Sequence, residues 1–78
     1  MRDDLEEILI KCGIEKKDLN CEDFVKAELM DSLTVADVVV AIEDKYNIEI
    51  NGEDILPECF INIETIECLV KKYISSFN

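Results

Sequence analysis

The 78-residue chain has no histidine, a single proline, two glycines and only eight basic residues. Without histidine, a Ser-His-Asp or Cys-His nucleophile cannot be assembled from its own side chains. A zinc site loses one of its usual ligands for the same reason. The four cysteines, Cys12, Cys21, Cys59 and Cys68, include no C-x-x-C pair, so the spacing of a zinc or redox motif is missing as well. A histidine-free Ser-Lys arrangement stays formally open, but a domain this small is not expected to enclose a deep pocket, and intrinsic catalysis is not expected. No apolar run approaches the ~20 residues of a membrane span. The chain also lacks the basic-then-apolar start of an export signal, since Arg2 is followed at once by Asp3 and Asp4. These absences lead to the expectation of a soluble cytoplasmic protein with reduced, mostly buried thiols.

What is present is acid and hydrocarbon. Nineteen acidic residues against eight basic ones set the net charge at −11. The imbalance is concentrated between Asp18 and Glu67, where fourteen acidic residues face only Lys26 and Lys45. Such a field repels nucleic acid and anionic lipid and favours encounter with basic protein surfaces, although solubility alone would also account for it. The hydrophobic content of 49% is too high for a disordered acidic tail. One domain spanning residues 1–78 is expected, and a chain near this size buries only about 60% of its unfolded surface.

Periodicity points to helices. Leu5, Ile8, Leu9 and Cys12 share a face, acidic residues occupy the first turn and Gly13 follows as a stop, predicting a first helix from residue 3 or 4 to 12. Residues 14–30 read as a long connection pinned by Leu19, Phe24, Val25 and Leu29, with a helical turn near 22–26. Val35, Val38, Val39, Ile42 and Tyr46 then recur at helical spacing behind Asp31-Ser32, predicting a capped helix over 32–46. Its β-branched run leaves a strand reading open for 38–42, but the length, the cap and Asp37, Glu43 and Asp44 decide for helix. Ile48-Glu49-Ile50 alternates yet has no strand to pair with, so an extended loop is expected. A short helix over 53–56, ended by Pro57, should precede a last helix capped by Asn62, with Ile66, Leu69, Val70, Tyr73, Ile74 and Phe77 on one side. Residues 75–78 should fray. The expected fold is all-α: three principal helices, one short helix and a long first loop.

Ser32 stands where unpaired backbone N–H groups and the positive end of the helix dipole favour a phosphate. The stretch LMDSLTVADVVVAIEDKY resembles the modification site of acyl carrier proteins and of the related aminoacyl and peptidyl carriers. The resemblance runs from about Phe24 to Ile74 and includes Phe24-Val25, Asp31-Ser32-Leu33, the acidic end Glu43-Asp44-Lys45-Tyr46 and the final helix. It implies a 4′-phosphopantetheine arm on Ser32, with Asp31 and Leu33 completing the motif. It further implies that a phosphopantetheinyl transferase installs the arm from coenzyme A. A loading ligase and downstream transferases or synthases with basic patches would dock on Asp37, Glu43 and Asp44, and the carrier would be a monomeric, non-catalytic substrate of those enzymes. Leu33, Ala36 and Val40 would border the groove where arm and cargo rest.

Fatty-acid carriers usually read Leu-Gly-x-Asp-Ser-Leu, whereas Glu28-Leu29-Met30 precede Asp31 here, a departure that leans toward D-alanyl or other aminoacyl carriers. The cargo stays open among fatty acyl, polyketide and aminoacyl groups. Two readings from other classes compete. Asn47, Glu49, Asn51, Gly52 and Glu58 fall at positions of a calcium-binding loop, but Asp54 and Pro57 stand where an apolar residue and the exiting helix belong. An unmodified helical adaptor is the other, in which Ser32 is a plain cap residue.

Overall fold

A computed structural model describes residues 1–75, and among them three α-helices and three short 3-10 turns with no strand. Helix α1 (Arg2–Lys11) buries Leu5, Ile8 and Leu9 and carries Asp3 and Asp4 in its first turn. It starts a residue earlier than the pattern predicts and leaves Cys12 as the C-cap. Gly13 follows at φ 108°, a left-handed conformation that costs glycine little. The Ile14 N–H reaches back to the Leu9 carbonyl at 2.9 Å and the Gly13 N–H to Ile10 at 3.1 Å. This is a Schellman closure, and Ile14, only 2% exposed, supplies its apolar contact.

The long connection is more structured than its polarity suggests. A 3-10 turn at Lys16–Asp18, which the sequence pattern does not announce, leads to buried Leu19. The second turn spans 24–28 instead of 22–26, because Asp23 caps it: its Oδ1 accepts the Lys26 N–H at 2.9 Å. Phe24 is fully buried, and its N–H donates to the Ile61 carbonyl at 2.6 Å, fastening the loop to the far side of the molecule. Glu28 takes the left-handed conformation at φ 60°, with the Leu29 N–H returning to the Phe24 carbonyl at 2.8 Å. Val25, expected to pin the loop, is 37% exposed, while Met30 is buried instead.

Helix α2 (Ser32–Tyr46) has the predicted bounds. Val38, Val39 and Ile42 enter the core, with Val35 and Tyr46 half-buried at its edges. Helix wins over strand because burial follows the helical repeat, leaving Val40 63% exposed between buried Val39 and half-buried Ala41. Asn47 ends α2 in the left-handed conformation at φ 55°. Ile48 and Ile50 are then buried around exposed Glu49, the alternation of an extended segment.

The short helix expected over 53–56 is absent. Two 3-10 turns, Gly52–Asp54 and Pro57–Phe60, flank extended residues at 55–56. Pro57 opens the second turn instead of ending a helix, as its fixed φ and missing N–H allow at a first helical position. The calcium-loop spacing is therefore not realised. Its last position, Glu58, lies in this turn, and no helix leaves before α3 (Ile63–Ser75).

Asn62 caps α3 as predicted, its Oδ1 accepting the Thr65 N–H at 2.9 Å while Thr65 Oγ1 accepts the Asn62 N–H at 3.2 Å. Ile63, Ile66, Leu69 and Val70 are buried. Ser75 belongs to the helix, whereas the expectations for Phe77 and for fraying over 76–78 lie outside the described residues. Helix α1 packs on both α2 and α3, and the Pro57–Phe60 turn packs on α3. The four thiols are unpaired but less buried than expected: Cys12, Cys21 and Cys59 are half-buried and Cys68 is exposed.

Candidate functional site

Asp31 is extended (φ −101°, ψ 179°) and its Oδ1 accepts the Thr34 N–H at 2.8 Å, so Asp31, not Ser32, is the N-cap. That hydrogen bond holds the Asp31 carboxyl below its ordinary range. Ser32 is consequently the first helical residue, exposed and set at the positive end of a 15-residue helix. The next residue, Leu33, is 73% exposed.

Inward from Ser32 opens a groove of about 490 Å³. Its near wall is α2, through Val35, Ala36, Val39 and Val40. Val25 and Met30 close one end, and Ile55 and Pro57 form the opposite wall. Among the described residues, Asp31 and Ser32, at the mouth, are the polar side chains that line it. Two of the three expected border residues, Ala36 and Val40, are in place. Leu33 is not, and the lining contributed by Val25, Met30, Ile55 and Pro57 went unread because those residues come from the two irregular connections. Met30 belongs to the unusual Glu28-Leu29-Met30 approach, so that departure from the fatty-acid pattern places an apolar side chain in the groove.

The acidic residues of α2 separate into two kinds. Asp37 and Asp44 are exposed and, with Leu33 and Val40, fall at spacings of four, three and four along one outward stripe. The Asp37 charge also reaches Cys12, whose thiol is pushed up first by burial and then by that carboxylate. Glu43 is half-buried, and its Oε2 accepts the Ile50 N–H at 2.8 Å. It ties the end of α2 to the segment beyond, a structural task invisible in the sequence because the donor lies seven residues on in an irregular stretch.

A family model for the phosphopantetheine attachment site matches residues 6–68. The chain belongs to that family. It is a phosphopantetheine-bearing carrier, and 4′-phosphopantetheine is its covalent cofactor. No curated protein and no solved structure matches the chain. The residues around the groove mouth fit such a group: an exposed primary hydroxyl stands at a helix N-terminus, where the dipole favours a phosphate, and an apolar groove lies beside it. Among the described residues no helix is long and apolar enough to cross a membrane, and no cluster of three or more histidine, cysteine or acidic side chains is arranged to hold a metal ion.

Proposed function

We propose that Ser32 is the attachment point and that the carrier presents an aliphatic acyl group, not an aminoacyl group, to partner enzymes in the cytoplasm. The observation that carries the cargo reading is the apolar groove opening at Ser32. When attached, the arm supplies a terminal thiol that holds the cargo as a thioester. Ser32 contributes an uncrowded primary hydroxyl on a rigid helix. Asp31 fixes that helix start and adds a negative charge for the transferase's own metal. Val35, Ala36, Val39, Val40, Met30 and Ile55 shelter hydrocarbon from water. An α-ammonium in the same groove would find no hydrogen-bond acceptor beyond the mouth, and desolvating it there is unfavourable. The groove's volume of about 490 Å³ is large beside the roughly 30 Å³ that one water takes in the liquid, so a chain of about eight carbons has room in it.

Asp37 and Asp44, flanked by Leu33 and Val40, form the face on which a phosphopantetheinyl transferase, a loading ligase and downstream synthases with basic patches dock. Glu43 adds charge to that face but also serves the fold. The chain itself is a substrate, not a catalyst. Transfer from coenzyme A by a broad-specificity phosphopantetheinyl transferase tests the attachment: one addition in the native chain and none in Ser32→Ala supports it, and equal addition to both would refute it.

A further inference from the structure

The wall of the groove opposite α2 is built from Ile55 and Pro57, in a segment with no α-helix of its own. Side chains on neighbouring helices hold that segment from behind. Glu43 of α2 accepts the Ile50 N–H. One residue later the Asn51 N–H donates to Tyr73 Oη of α3 at 2.9 Å, and the same hydroxyl donates to Asp54. Lys72 Nζ donates to the other carboxylate oxygen, Asp54 Oδ1, at 3.0 Å. Asp54 ends the turn immediately before Ile55, so the restraint acts next to the wall residue.

From this geometry we propose that Tyr73, with Asp54, is a positioning pair that sets the far wall of the groove and so determines how tightly the carrier encloses an acyl chain. The proposal rests on the acyl reading of the groove. Tyr73 is not among the residues that line the groove; it acts on the wall through its bonds at 51–54. Its hydroxyl joins a main-chain donor to a carboxylate, two bonds that a phenylalanine ring of the same shape cannot make. With the pair intact, a chain entering from Ser32 meets apolar atoms on both sides. With it cut, the wall loses its restraint next to Ile55 and can move away from α2 there, while Pro57 stays in the turn that packs on α3.

The test uses Tyr73→Phe in the arm-bearing protein, loaded with acetyl, butanoyl, hexanoyl or octanoyl groups. Two quantities are read: amide hydrogen exchange at Asn51 and Ile55 before loading, and the rise in melting temperature per added methylene. Apolar stabilisation scales with area removed from water, so loosening one of two walls should cut the rise per methylene by up to about half. Exchange at Asn51 should accelerate on the order of tenfold as its acceptor is lost. Asp54→Asn keeps an acceptor for the Tyr73 hydroxyl and should retain the native rise, whereas Asp54→Ala should lower the rise per methylene as Tyr73→Phe does, with the Asn51 bond to Tyr73 Oη left in place. If Tyr73→Phe lowers every melting temperature equally and leaves the increment unchanged, the pair is only a tie in the fold and the proposal is overturned. Unchanged exchange at Asn51 and Ile55 would overturn it as well. A native protein with no chain-length dependence would instead refute the acyl reading of the groove, and the exchange measurement distinguishes that failure from failure of the pair itself.

Discussion

Lengthening the cargo should stabilise the carrier, and the groove sets how much. Moving from an acetyl to an octanoyl group adds six methylenes. A fully buried methylene contributes about 0.8 kcal/mol, and a groove open on one side captures about half of that. Six such contributions amount to about 2.4 kcal/mol. For a domain of this length each kcal/mol corresponds to a rise of about 4–8 °C, so the octanoyl form should melt about 10–20 °C above the acetyl form. The cargo is tethered, so the shift should not depend on protein concentration. Circular dichroism melts of an acetyl, butanoyl, hexanoyl and octanoyl series would show it, with glycyl and alanyl forms beside them. The aminoacyl forms should melt with the acetyl form, because their ammonium groups remain in water. A flat acyl series, or an alanyl form as stable as the octanoyl one, would refute the cargo assignment.

Reversing Asp37 and Asp44 together to lysine should slow association with a cognate partner on the order of tenfold at low salt, with stability changed by less than about 0.5 kcal/mol; stopped-flow association rates beside urea unfolding would reveal any departure. Glu28→Gly should stabilise the fold by up to about 1 kcal/mol, since Glu28 holds φ 60°, and a lower urea midpoint would contradict that. The depressed Asp31 carboxyl contributes stability above its unfolded pKa of about 3.9, and this is lost as pH falls through the lower folded value. Asp31→Asn still caps but does not titrate, so the advantage of the native chain over it should disappear in acid; an advantage constant from pH 6 to pH 2 would rule this out.

The helices were legible because each carries its own signals. Asp31 and Asn62 cap, Gly13 and Asn47 stop, and burial in α2 follows the spacing of Val35, Val38, Val39 and Ile42. The position of Ser32 at the start of α2 was legible for the same reason, because a local cap pattern defines that helix start. The connections were not, because their structure is decided at long range. Phe24 is fixed by the carbonyl of Ile61, and Asn51 and Asp54 by Tyr73. Pro57 reads as a terminator in isolation, yet it opens a turn that packs on α3. Glu43 looks like one more solvated carboxylate until the chain returns to present the Ile50 N–H. The groove depends on those same connections, so the sequence indicated its α2 wall and not its opposite one.

The most direct test of the central claim is intact mass after incubation with coenzyme A and a phosphopantetheinyl transferase, beside a Ser32→Ala control. Exposed Cys68 and the three half-buried thiols can capture stray disulfides, so reductant and peptide mapping belong in the experiment. One phosphopantetheine, mapped to the peptide containing Ser32 and absent from the variant, is the predicted result. Phosphopantetheine mapped to any other residue, or retained in Ser32→Ala, would contradict the account.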